Sequence, residues 1–334
     1  MSLLSVEDLK TFYSTSKGKV HAVDGVSLDI EKGEISGLAG ESGGGKTTIL
    51  NSLIGVLPDN AEIVGGKILY KGRDLVELEP EEMQKVKWSE ISVVPQSAMD
   101  ALDPVMRVRD QFRLVARESD KNLSKKQVIE RAEELFELVG LNKKRLSEYP
   151  HQFSGGMKQR AIIALALLFQ PDLILLDEPV TALDVIVQNQ ILEHIQELQR
   201  SLHTSLLIVT HDISVLVKIC DRIHVLYGGK KAESADTSDL IKDPLHPYTI
   251  GLQQSFPNLY EPEKELVSIP GNPPRLIDPP PGCRFSDRCP FSRQKCESKE
   301  PPSVEASAGH QVACFFHEKV ARKREDAYRK EGQA

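Results

Sequence analysis

Apolar residues in this chain gather into short runs that stop at chemically loaded positions. Leu173-Ile174-Leu175-Leu176 is four consecutive apolar residues bounded by turn formers, the pattern of a strand covered on both faces in a parallel sheet. Residues 34–39 read as a second buried strand, although Ser36 and Gly37 interrupt the run. Val93-Val94 and Ile208-Val209 close two more. Between them the period changes. Residues 49–57 read as a helix, and Val128, Ala132, Leu135, Phe136 and Val139 form the i, i+4, i+7 stripe of an amphipathic one. Residues 161–169 are nearly all apolar and run into Gln170-Pro171, which predicts a buried helix rather than a membrane span. Buried strands among helices place the chain in the α/β class.

Composition narrows the class without naming a chemistry. The chain has 334 residues, 40% of them hydrophobic and 27% charged, enough for a large core and about two domains. A net charge of −7 with no basic cluster argues against a dedicated nucleic-acid binder. No stretch reaches the roughly 18 apolar residues of a membrane span, and the first ten residues carry Glu7 and Asp8 without an apolar secretory core. Any role at a membrane is expected to run through partner subunits.

Chemistry enters at residues 40–48, Gly40-Glu41-Ser42-Gly43-Gly44-Gly45-Lys46-Thr47-Thr48, a complete phosphate-binding loop between the second strand and the first helix. Such a loop wraps a polyphosphate with its N–H groups turned inward, so a Cβ at Gly40 or Gly45 would obstruct it. Lys46 supplies a point charge for the β/γ-phosphates, Thr47 a hydroxyl for Mg²⁺, and the helix N-terminus further donors. Downstream, Asp177 and Glu178 end the Leu173 strand, where open α/β sheets bind ligands. A carboxylate at Asp177 suits Mg²⁺, and Glu178 suits orienting or deprotonating an attacking water.

Phe153-Ser154-Gly155-Gly156-Met157 precedes a helix and offers a hydroxyl and N–H groups to an anion. With the loop and the Asp-Glu pair in this order, the chain resembles the ATP-binding-cassette ATPases, whose signature is usually Leu-Ser-Gly-Gly-Gln. Phe153 and Met157 depart from that consensus in the direction of the peptide-importer branch. The resemblance implies a RecA-like core with antiparallel β and helical subdomains, the last at about 98–150. It implies Tyr13, beside Phe12, as the aromatic at the adenine and Gln96 as the residue reaching Mg²⁺ and the attacking water. It further implies Asp184 in the loop that crosses a dimer interface and His211 as the switch histidine at the γ-phosphate. The residues expected at nucleotide are therefore Tyr13, Gly40, Ser42, Gly43, Gly44, Gly45, Lys46, Thr47, Thr48, Gln96, Asp177 and, with Asp184, the signature Ser154, Gly155 and Gly156. Catalysis is expected from Lys46, Gln96, Glu178 and His211, with Mg²⁺ on Thr47, Gln96 and Asp177. In the family the signature of one protomer faces the phosphate loop of another, so ATP favours a closed head-to-tail dimer.

The C-terminal third carries a second pattern. Six prolines fall between Pro270 and Pro281, which reads as an extended linker, taken as 256–282. Four of the five cysteines follow, at Cys283, Cys289, Cys296 and Cys314. In a cytosolic chain a clustered set of four reads as a metal site, and intervals of five, six and seventeen residues leave both zinc and an iron–sulfur cluster open. This run resembles the tail of oligopeptide and dipeptide importer ATPase subunits, some of which bind a [4Fe-4S] cluster; the resemblance implies one here, in a small appendage at 283–320 followed by a charged tail at 321–334. Residues 1–255 would be the cassette.

The resulting expectation is an ATPase subunit powering peptide import from the cytoplasmic face of the membrane. Its partners would be a related ATPase subunit in a heterodimer, two transmembrane permeases and, indirectly, an extracellular or periplasmic peptide-binding protein, with no nucleic acid. A nickel importer, or a soluble ATPase with a redox-sensing tail, are the alternatives.

Overall fold

The computed structural model describes residues 2–96, 101–118, 123–181, 183–255, 268–323 and 328. Ala182, residues 256–267 of the predicted linker and most of the charged tail lie outside them. In chain order the strands are β1 (Ser2–Thr15), β2 (Gly18–Glu31), β3 (Ile35–Ala39), β4 (Ala61–Tyr70), β5 (Arg73–Asp74), β6 (Ile91–Val94), β7 (Leu173–Asp177), β8 (Ser205–Thr210), β9 (Arg222–Tyr227), β10 (Lys230–Asp236), β11 (Val304–Ser307) and β12 (His310–Val312). Packing divides the chain into two units. The first is Met1–Leu3, Ile30–Ile35 and Glu77–Val209; the second is Leu4–Asp29, Ser36–Val76 and Thr210–Ala334. Among the described residues no helix is long and apolar enough to cross a membrane.

In the first unit β6, β7 and β8 run parallel, with Val94 opposite Leu176 and Asp177 opposite Val209. Every residue of β7 is buried, as a strand covered on both faces requires. The stretch between β6 and Ser154 is built of helices joined by turns, with no strand among its described residues. Its longest helix, Lys125–Leu138, begins at Ser124 in a reciprocal capping box with Gln127, which satisfies two orphan N–H groups. That cap sets the phase that buries Val128, Ala132, Leu135 and Phe136. Phe136 meets Phe112 of helix Val108–Glu118 edge-to-face at 5.9 Å.

The second unit holds a four-stranded sheet of order β2-β1-β4-β5 and a set ordered β11-β12-β10-β9-β3. β3 pairs parallel with β9, and the whole of β3 is buried, including Ser36. The interruption at Gly37 has a packing cause. A Cβ there would stand 3.0 Å from Cys220 Sγ and 3.1 Å from Leu216, so helix Ile213–Ile219 lies against the strand only because glycine is present.

The expected separate appendage is corrected by the sheet. β12 pairs antiparallel with β10, Glu233 opposite Val312, and β11 pairs with β12, so the tail extends the sheet of the second unit. The described part of the proline run also lies on this unit: Leu276 O accepts the His21 N–H at 2.8 Å, and Ile277 bridges Val20.

Candidate functional site

The loop between β3 and helix Lys46–Leu53 is held from several sides. Gly45 is the helix N-cap at φ 96°, and a Cβ on it would stand 2.2 Å from Ala22 O, so only glycine fits. Gly229 donates to Gly44 O at 3.2 Å and accepts from Asp24 N at 2.8 Å, tying the loop to the β9–β10 turn. Lys46 is 6% exposed, and its Nζ donates to Gly40 O at 2.7 Å and Glu41 O at 3.0 Å. Ser42, Gly43 and Thr47 are exposed. A glycine-rich loop with a buried ammonium and a helix N-terminus behind it has the donors a polyphosphate needs, so ATP with Mg²⁺ fits this loop.

Tyr13, rather than Phe12, reaches this loop's helix. Tyr13 Oη lies 3.2 Å from Thr48 Oγ1, while Phe12, on the other face of β1, stacks on His21 with ring centroids 4.0 Å apart. His211 is exposed just beyond β8 in the same unit; Asp212 caps the next helix through Ser214 N at 2.9 Å.

The first unit carries the remaining predicted residues. Parallel register puts Gln96, exposed two residues past β6, and Asp177 and Glu178, at the end of β7, on one edge of the three strands. Asp177 is 5% exposed. Glu178 adopts φ 51°, in the left-handed region that non-glycine residues occupy uncommonly. It is fixed there by its N–H on Val209 O at 2.8 Å and by the Thr181 hydroxyl donating to Oε2 at 2.5 Å. Ser154 is exposed and caps helix Gly155–Ala166, accepting from Met157 N at 3.3 Å. Asp184, also exposed, caps helix Val185–Leu202 through Ile186 N and Val187 N at 3.1 and 3.0 Å. Val185 and Ile186 beside it are 67% and 71% exposed.

The cysteines require a second correction. Cys283, Cys289, Cys296 and Cys314 all border one cavity of about 20 Å³, the room of roughly one water, otherwise walled mainly by Phe285, Phe291, Phe315, Phe316 and prolines. Among the described residues no group of three or more His, Cys, Asp or Glu side chains is placed to hold a metal ion. Burial pushes the Cys289 and Cys314 thiols up to about 12 and raises Cys283 as well. The [4Fe-4S] expectation is therefore withdrawn: these side chains fit a tight, largely aromatic packing.

Two residues at the loop were not among those predicted from sequence. Tyr248 Oη accepts the Glu41 N–H at 2.9 Å, and Arg288 pairs with the Glu41 carboxylate at 2.8 Å. Nothing in the motif marks them, because the contacts join residues more than two hundred positions apart.

The family described as "ABC transporter" matches residues 23–181, and "Oligopeptide/dipeptide transporter, C-terminal region" matches residues 232–296. The chain is 41% identical to the dipeptide transport ATP-binding protein DppD of Caldanaerobacter subterraneus subsp. tengcongensis, over 95% of this chain and 97% of that protein. It is 42% identical to DppD of Bacillus subtilis, with 96% of each chain covered. To the oligopeptide transport ATP-binding protein OppD of Escherichia coli it is 40% identical, over 94% of this chain and 93% of that one. The ATP-binding cassette MJ0796, solved as a dimer bound to ADP and Pi, superposes with a TM-score of 0.63 at 26% identity, covering 70% of this chain and 98% of MJ0796. The chain thus belongs to the ATP-binding subunits of ABC transporters, in the branch that carries the oligopeptide/dipeptide C-terminal region, and is a transport ATPase working on ATP with Mg²⁺.

Proposed function

We propose that this subunit powers the import of dipeptides or oligopeptides, docked on the cytoplasmic face of a membrane against two permease subunits that receive cargo from a peptide-binding protein. The observation that carries this reading is the pairing, in one chain, of the glycine-lined loop at 40–48 with the oligopeptide/dipeptide C-terminal region at 232–296. We assign residues 1–255 to the cassette, with a helical subdomain at about 98–150 that meets the permeases.

In this reading Gly40 to Thr48 cradle the triphosphate, with Lys46 Nζ leaving its two loop carbonyls for the β/γ-phosphate oxygens. Tyr13 takes the adenine. Mg²⁺, held by Thr47, Asp177 and Gln96, supplies charge neutralisation on the phosphates. Glu178, its carboxylate steadied by Thr181, orients the water and accepts its proton, while His211 contacts the γ-phosphate. Ser154, Gly155 and Gly156 of a second, related subunit close over the nucleotide from outside, and Asp184 stands at that interface. The exposed pair Val185 and Ile186 supports an interface there, since neighbouring large apolar side chains on a surface mark contact sites.

The decisive experiment is co-purification with the permease subunits and the binding protein, followed by ATPase assays in vesicles. Stimulation by di- or oligopeptides is expected. Stimulation by nickel complexes alone would overturn the peptide assignment.

A further inference from the structure

Glu41 is an awkward residue for a loop that takes a polyanion. A carboxylate one position past Gly40 repels the triphosphate unless its charge is answered. The structure answers it from the far end of the sequence. Arg288 Nη1 donates to both Glu41 oxygens, at 3.0 and 2.8 Å. The same Nη1 lies 3.1 Å from Tyr227 Oη, Nε donates to Pro270 O at 2.7 Å, and Nη2 donates to Ile269 O at 3.3 Å. The side chain is 6% exposed and its guanidinium sits 5.7 Å from the centre of the Tyr227 ring. A fork held by acceptors on each of its nitrogens has no freedom to swing away.

The Glu41 backbone is as heavily engaged as its side chain. Its N–H goes to Tyr248 Oη, and its carbonyl accepts from both Gly44 N at 3.1 Å and Lys46 Nζ. Shifting Glu41 therefore shifts the turn at Gly44 and the ammonium expected to meet phosphate.

We propose that Arg288 is a positioning residue for the nucleotide loop: supplied by the C-terminal region, it neutralises and anchors Glu41 so that the loop keeps its affinity for the triphosphate. This inference rests on reading residues 40–48 as the ATP site. It gives the C-terminal region a task within the ATPase cycle, distinct from any contact with cargo or permease.

The test uses the full-length protein and its ATP KM, kcat and ATP dissociation constant. Arg288→Gln leaves the Glu41 charge unanswered within the loop, so KM and Kd for ATP are expected to rise about tenfold or more while kcat at saturating ATP stays within about twofold. Adding Glu41→Gln removes the repulsion and is expected to bring both constants back near wild type. A purely structural Arg288 would give a loss that Glu41→Gln does not reverse. That result, or unchanged constants in Arg288→Gln, overturns the proposal. Should Arg288→Gln fail to fold, Arg288→Lys, which keeps the charge without the fork, carries the same comparison with a smaller rise that Glu41→Gln again reverses. Lys46→Ala serves as the separate check on the site: wild-type ATP binding by that variant would remove residues 40–48 as the nucleotide site, whatever Arg288 does.

Discussion

Glu233 Oε1 and His310 Nε2 lie 2.7 Å apart, both buried, and join β10 to β12 across 77 positions of sequence. The same carboxylate accepts Leu245 N at 2.7 Å and His246 N at 2.9 Å, fixing the start of helix Pro247–Gln254. Removing the acceptor strands three buried donors together. Glu233→Ala is therefore expected to cost about 3–5 kcal/mol, read as a lowered urea midpoint. A loss under about 1 kcal/mol would mean this network does not hold the tail.

Gly45 leaves no space for a methyl group. Gly45→Ala combines a left-handed backbone with a 2.2 Å approach to a carbonyl oxygen, so the loop must open. ATP affinity is expected to fall by at least about tenfold, since left-handed strain alone costs about 1–3 kcal/mol. Calorimetric titration with ATP measures it; unchanged affinity contradicts the geometry.

Glu178 is held by its N–H on Val209 O and by the Thr181 hydroxyl on its carboxylate. Glu178→Gln keeps the size and most of the hydrogen bonding but cannot take a proton. Turnover is expected to drop by roughly 10²–10⁴-fold with ATP binding retained, and the closed dimer to accumulate. Wild-type hydrolysis by this variant removes Glu178 from the chemistry.

Acid sensitivity follows from two buried imidazoles. Burial pushes His224 and His246 down to about 3, with the positive charges of Lys231 and Arg222 adding to the effect at His224. Both are neutral in the fold, whereas in the unfolded chain they take a proton near the ordinary value of about 6.5. Their contribution is thus complete above about pH 6.5 and is lost as pH falls toward 3, with a slope of about 1.4 kcal/mol per pH unit for each. Urea midpoints measured from pH 7 to 4 should decline, and His224→Gln, which cannot protonate, should flatten the curve. An unchanged slope in that variant would place the acid sensitivity elsewhere.

Much of this was legible along the chain because it depends on local rules. The loop at 40–48 is a contiguous motif with fixed backbone demands. The 128–139 stripe fixes which helix face is buried, and four apolar residues before Asp177 place a carboxylate at a strand end. Each of these needs only neighbours within a few residues.

Other features were hidden because their causes are distant in sequence. Gly37 reads as a defect in a strand until Leu216 and Cys220 are packed against it. β11, at the edge, and β12 beside it are short strands with Glu305, Ser307 and Gln311 among their residues, so they offer no apolar run to detect. The four cysteines invited a metal because spacing counts residues along the chain and carries no information on the volume of the cavity they border.

The amino-acid order by itself determined the phosphate loop, the buried parallel strands and the family, since these are written in consecutive residues and in their periodicity. Tertiary structure alone decided that the tail continues a sheet, that its thiols pack against aromatic rings, and that Arg288 answers the charge of Glu41. Those outcomes depend on which surfaces meet and how much solvent they exclude, quantities that linear spacing does not encode.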